Sequence, residues 1–306
     1  MPIILILIYS ILLASEPIKP IPQTISYDKT KAELGKLLFF DPILSKDKSV
    51  ACISCHDFEH GGADPRPVSI GVNGKKGSVN SPTVYNAIFN FTQFWNGRAK
   101  DLNEQLEGPL HNPVEMAMSN EEIEKRLNNS KFYKKLFKKI YKKNRIEYYM
   151  IKDVIVEFEK ALTTPNAKFD KFLRGETKLS TKEYKGYVLF KRLGCIICHN
   201  GINIGGNSFQ KIGSVIPIRK KLNNDRYQIT KNPEDRFVYR VPTLRNITLT
   251  APYFHDGSVK TLKEAINIMA YHNLGFRLNQ KEQNLILAFL HTLTGEKPQI
   301  VNEHAQ

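Results

Sequence analysis

Apolar residues recur every three or four positions in several stretches of this 306-residue chain, and a helix-start signal stands before each stretch. Thr30 with Glu33, Ser119 with Glu122, Ser180 with Glu183 and Thr261 with Glu264 fit the S/T-x-x-E capping box. Asn279 with Glu282 opens a last helix carrying Leu285, Ile286, Phe289 and Leu290. Residues 57–100 and 200–260 are instead rich in Gly, Pro and Asn, and neither alternates long enough for a large sheet. The expected fold class is mainly α, with long loops and little strand.

One pattern occurs twice. Gly35-Lys36-Leu37-Leu38-Phe39 and Gly186-Tyr187-Val188-Leu189-Phe190 share G-x-x-L-F, each on a capped helix and each soon followed by the same cysteine motif. The repeat predicts two related domains, 26–164 and 165–300, divided at Thr164-Pro165. At 41% hydrophobic and 25% charged residues the chain has enough apolar surface for a packed core in each, which excludes a disordered protein.

The longest apolar run is Ile3 to Ala14, interrupted by Tyr9 and Ser10. It is too short for a hydrocarbon core that needs ~20 residues, but it suits a secretory signal over 1–15 that is cut near Leu13-Ala14-Ser15. An uncleaved tether is the alternative. Either places the body outside the cytoplasm, in the periplasm, with no stable membrane insertion once the signal is removed. Residues 16–25, with Pro17, Pro20 and Pro22, read as a stiff extended linker.

All four cysteines fall in two C-x-x-C-H motifs, Cys52-Ile53-Ser54-Cys55-His56 and Cys195-Ile196-Ile197-Cys198-His199. This spacing lets two thiols bond the two vinyl groups of one haem while the adjacent histidine ligates its iron. A Cys₄ zinc site brings its C-x₂-C pairs within ~15–20 residues, whereas 139 residues lie between Cys55 and Cys195. Two redox disulfides would leave His56 and His199 unexplained. The expected cofactors are therefore two covalently bound c-type haems. For the second haem's other axial position the candidate is Met269, with Tyr271 and His272 as rivals and core packing as the commoner fate of a helical methionine.

With these motifs the chain resembles the bacterial di-haem cytochrome c peroxidases over roughly residues 26–297. The matching stretches are Asn80-Ser81-Pro82-Thr83-Val84, Phe94-Trp95-Asn96-Gly97-Arg98-Ala99, Pro165 to Lys171, Val241 to Asn246, Tyr253-Phe254-His255-Asp256-Gly257 and Leu290 to Gly295. The resemblance implies an oxidoreductase that reduces hydrogen peroxide to water with electrons from a small c-type cytochrome. It implies that His56 ligates a low-potential peroxidatic haem and that His199 with Met269 ligates the high-potential haem receiving electrons. It makes Gln105 and Glu115 the distal pair over the peroxidatic iron, where a carboxylate moves a proton and an amide stabilises the departing oxygen. Trp95 matches the residue between the haems and reads equally as a packing anchor. Asn80, Thr250 and Pro252 match positions whose oxygens bind one calcium ion between the domains. Homodimers are usual in the family.

One departure has a consequence. Family members commonly carry a histidine after Ser-Ile-Gly that blocks the peroxidatic iron until the enzyme is reduced. Here Ser69-Ile70-Gly71 is followed by Val72, which cannot ligate iron, and His60 lies only four residues from His56. The expectation is an iron open in the oxidised enzyme, with no reductive activation. Rival readings are a non-catalytic di-haem electron carrier or redox sensor, and a protein-modifying di-haem oxidase with tyrosine where Met269 stands.

The formal charge is +15. Much of it lies between Lys131 and Arg145, where lysines alternate with Phe132, Leu136, Phe137, Ile140 and Tyr141 at helical spacing. The lysines form the polar face of an amphipathic helix, read as a solvated face with a docking patch as the alternative. No recognition motif points to nucleic acid. Steering a small redox partner is the better use of this field.

Overall fold

The computed structural model describes residues 16–218 and 224–302. The expected signal at 1–15 lies outside the described residues. Twelve α-helices are present among them: α1 (Lys29–Phe40), α2 (Leu102–Gln105), α3 (Glu107–His111), α4 (Asn120–Asn129), α5 (Lys131–Tyr141), α6 (Tyr148–Ala161), α7 (Lys168–Leu173), α8 (Thr181–Arg192), α9 (Tyr227–Thr230), α10 (Leu262–Leu274), α11 (Gln280–His291) and α12 (Gln299–Asn302). The described strands, β1 (Phe209–Lys211) and β2 (Val238–Arg240), pair antiparallel with Phe209 opposite Arg240 and Lys211 opposite Val238. The fold is mainly α, as expected.

The capping residues place most helix starts. Ser119, Ser180 and Asn279 each close a reciprocal box with the glutamate three residues on, and Thr261 accepts from the Glu264 N–H. The start of α1 differs from the reading at Thr30. Asp28 is the cap, accepting from the Lys31 N–H at 3.0 Å, while its own N–H donates to Glu157 at 2.7 Å. A carboxylate is as strong a cap as threonine, and here the neighbouring helix also holds it.

Each half is organised on one tight helix pair. In the N-terminal half α1 packs on α6, and in the C-terminal half α8 packs on α11. The shared glycine explains both crossings. A Cβ built on Gly35 falls 1.9 Å from the Val154 carbonyl oxygen, and one on Gly186 falls 2.0 Å from that of Leu285. Only a residue without a side chain lets these backbones meet. The shared phenylalanine follows suit: Phe39 packs on Phe158 (centroids 5.2 Å apart) and Phe190 on Phe289 (5.1 Å).

The likeness continues into loops where it is barely visible by eye. Pro82-Thr83-Val84-Tyr85-Asn86 and Pro242-Thr243-Leu244-Arg245-Asn246 share P-T-x-x-N. In each, the threonine hydroxyl accepts from the N–H two residues on, and the asparagine adopts a left-handed conformation. Both asparagine side chains donate to the Thr164 hydroxyl, at 2.7 and 2.9 Å. Thr164 thus ties the two halves together.

The chain ends cross over. Residues 16–25 are extended, as expected of a linker, but they are packed rather than free. Ile18 and Ile21 are each 1% exposed, and Ile18 joins the C-terminal core with Phe169, Tyr187 and Phe289. Arg245, ion-paired with the fully buried Asp170 at 2.5 Å, also donates to the Lys19 carbonyl. Proline holds the strap extended while Ile18 and Ile21, three residues apart, face inward, which burial rewards by about 1.5–3 kcal/mol each. At the other end Ile300 packs with Ala32, Phe39 and Phe58 of the N-terminal half, and the Lys36 ammonium donates to its carbonyl.

In α5, Tyr133 and Phe137 are buried and the intervening lysines face solvent. No described helix is long and apolar enough to cross a membrane.

Candidate functional site

The two C-x-x-C-H segments fold alike. Each begins with a short 3₁₀ turn, Cys52–Ser54 or Cys195–Ile197, and ends with the histidine N–H donating to the first cysteine's carbonyl at 3.0 Å. Each imidazole then places Nδ1 beside a backbone carbonyl, His56 at 3.3 Å from Gly62 and His199 at 3.4 Å from Ile204. An Nδ1–H held this way leaves the Nε2 lone pair for a metal. Burial keeps both rings neutral, pushing the His56 pKa down and that of His199 to about 4.

No disulfide joins any of the four cysteines. Burial raises Cys52 to about 12 and both Cys55 and Cys195 to about 11, and it raises Cys198 as well. Such thiols are poor thiolates, the opposite of a redox C-x-x-C pair. Such an S–H would be available to add across a vinyl group of a haem, sulfur bonding one carbon and hydrogen the other, with no oxidant required.

Each motif opens onto a cavity. Cys195, Cys198, His199 and Met269 line one of 260 Å³, walled mostly by apolar side chains. Tyr271 and His272 do not line it: Tyr271 lies under the Arg277 guanidinium and His272 Nδ1 bonds the Ile216 carbonyl at 2.7 Å. Cys52, Cys55, His56, Gln105 and Glu115 line a second cavity of 60 Å³, and His56, Gln105 and Glu115 also line a third of 110 Å³ together with Trp95. Paired cysteines, a neutral imidazole and a chamber, twice, fit two haems.

The structure brings Glu115 and Gln105 onto one wall. Gln105 ends α2, and Glu115 follows α3 in a turn pinned to the opposite loop, where the Val72 N–H donates to the Glu115 carbonyl at 2.8 Å. Gly71 permits that approach, since a Cβ there would lie 2.2 Å from the Val114 oxygen. Burial raises the Glu115 pKa, opposed by the Asn112 amide donating at 2.6 Å and by the Arg98 charge. Val72 is buried, and His60 turns to the surface, where its Nδ1 meets Asp57 at 2.7 Å. Trp95 lines cavities on both sides, its indole N–H donating to the Asn80 carbonyl at 2.9 Å. Asn80, Thr250 and Pro252 all line the His199 chamber, and no group of three His, Cys, Asp or Glu side chains suited to a metal ion occurs among the described residues.

Three residues at or behind these walls escaped the sequence reading. Asn112, three residues before Glu115, holds its carboxylate. Glu159, near the end of α6, lines both His56 cavities with one buried oxygen unpartnered, and burial alone lifts its pKa to about 8. Arg240 lines the cavities of both motifs. Buried polarity of this kind carries no spacing signature.

Residues 29–178 match the family described as di-haem cytochrome c peroxidase. The chain is 46% identical over 290 residues to the cytochrome c551 peroxidase of Nitrosomonas europaea (94% of this chain, 87% of that protein). It is 41% identical to the cytochrome c551 peroxidase of Pseudomonas aeruginosa, again covering 94% and 87%. Among solved structures, a MauG-like protein associated with microbial copper homeostasis superposes with a TM-score of 0.82 at 29% identity, covering 94% of this chain and 95% of that one. The chain belongs to the di-haem cytochrome c peroxidase family and is an oxidoreductase of that class.

Proposed function

We propose that this enzyme reduces hydrogen peroxide to two waters, consuming two electrons from a small c-type cytochrome and two protons, at the cavity shared by His56, Glu115 and Gln105. That shared wall carries the reading. Two haems would supply the redox-active irons, one to be held by Cys52, Cys55 and His56, the other by Cys195, Cys198, His199 and Met269. Glu115, ionised and steadied by Asn112, takes the proton from the inner peroxide oxygen and delivers it to the outer one. The Gln105 amide stabilises the departing oxygen. Trp95, in the wall between the chambers, spans the gap electrons cross. Met269 is the residue that would hold the second iron together with His199, because it lines the His199 chamber while Tyr271 and His272 are engaged elsewhere.

Asn80, Thr250 and Pro252 offer neutral oxygens on one wall, suited to a single calcium ion that keeps much of its hydration. The apolar N-terminal run supports export to the periplasm. With Val72 in place of a ligating histidine and His60 at the surface, neither residue would close an iron held beside Glu115 in the oxidised protein. The test is peroxide-dependent oxidation of reduced cytochrome c by enzyme that has never been reduced. Immediate turnover supports the proposal, and turnover appearing only after reduction of the enzyme contradicts the open site.

A further inference from the structure

Arg240 ends β2 in the wall between the two chambers and is 3% exposed. Its backbone N–H donates to the Trp95 carbonyl at 2.8 Å and its Nε donates to the Phe94 carbonyl at 3.1 Å. Its Nη1 is buried with no hydrogen-bond partner. Desolvation alone acts on the guanidinium, drawing its pKa down to about 10, so the group remains a cation at pH 7. The contrast with Arg245 is instructive. That arginine is as deeply buried, and the chain supplies Asp170 to it at 2.5 Å. A buried cation without a counter-charge is strongly unfavourable, and the guanidinium fork fits a carboxylate.

We propose that Arg240 binds a haem propionate carboxylate in the wall common to both chambers and, through its bond to the Trp95 carbonyl, positions Trp95 against that haem. The inference rests on the di-haem reading, since each porphyrin would bring two carboxylates into a chamber. Arg240 would hold the propionate edge of the ring, and its positive charge there would favour the ferrous state.

The test is made on the holoenzyme, with Arg240→Gln and Arg240→Lys. Intact mass first establishes that wild type carries haem; its absence would sink the di-haem reading rather than this one. With haem present, spectroelectrochemical titration of R240Q shows at least one midpoint lowered, while R240K, which keeps the charge, stays close to wild type. In resonance Raman spectra the propionate bending band, a reporter of hydrogen bonding to that carboxylate, shifts in both variants. Where R240Q does not fold, the Raman band of R240K decides. Midpoints and bands all equal to wild type would overturn the assignment.

Discussion

The Trp95 indole meets the His255 imidazole edge to face, ring centroids 6.3 Å apart and planes at 73°. The two residues hold equivalent places in the repeat, each after a phenylalanine in the left-handed region (Phe94 and Phe254) and each inside a loop closed by one bridge, Gln93 to Ala99 or Tyr253 to Val259. Their backbones bond across the interface in matching fashion. The Asn80 N–H donates to the His255 carbonyl and the Arg240 N–H to the Trp95 carbonyl, both at 2.8 Å. The rings therefore sit on the approximate two-fold relation between the halves, which suits both an electron bridge and a packing anchor. Trp95→Phe keeps an aromatic body and removes the bond to Asn80. Stopped-flow spectra are expected to show slower transfer between the haems with each haem's own spectrum retained; an unchanged rate would leave Trp95 with packing alone.

Glu115 must be ionised to accept the peroxide proton, so turnover falls as pH drops through its pKa. Burial places that pKa above the ordinary 4.5, and both the Asn112 hydrogen bond and the Arg98 charge pull it back. Asn112→Leu removes a lowering influence and is expected to move the acid limb of kcat/KM to higher pH. Arg98→Gln moves it the same way. Glu115→Gln costs roughly 10²–10⁴ in kcat/KM, the span of general acid–base catalysis. An acid limb unmoved in N112L would separate Glu115 from the proton step.

In an ordinary helix, glycine to alanine stabilises by about 1 kcal/mol. At Gly35 and Gly186 the sign reverses, because the new methyl would enter a carbonyl of the partner helix. Gly35→Ala and Gly186→Ala should each destabilise by about 1–3 kcal/mol, the usual cost of overpacking. Thermal unfolding of the holoenzyme checks this, and an unchanged or raised Tm for either variant would refute the crossing.

Val72→His restores a potential ligand to the loop bonded to Glu115. Electron spin resonance of the oxidised wild type is expected to show a high-spin ferric signal that V72H loses, along with its turnover before reduction. Two low-spin haems in the wild type would remove the open-site claim.

Much of the fold was legible because its signals are local. Capping boxes and period placed α4, α8, α10 and α11, and G-x-x-L-F marked the glycine that each close helix crossing requires. Asp28 displaced Thr30 because a cap is chosen partly by tertiary partners, here Glu157. The strap at 16–25 read as a linker because proline signals extension and says nothing of what Ile18 and Ile21 bury against. In the site, cysteine and histidine spacing exposed both chambers at once. Glu115 and Gln105 needed the family likeness, since an acid or amide in a loop has no distinguishing spacing. Asn112, Glu159 and Arg240 became visible only as partners, or missing partners, in three dimensions.

All of this depends on porphyrin bonded through Cys52, Cys55, Cys195 and Cys198. Intact-mass spectrometry of the mature, denatured protein is the most direct test, because thioethers survive unfolding. The expected mass exceeds that of the polypeptide by two haems, and by one haem after Cys52→Ala with Cys55→Ala. A mass equal to the bare polypeptide would contradict the account.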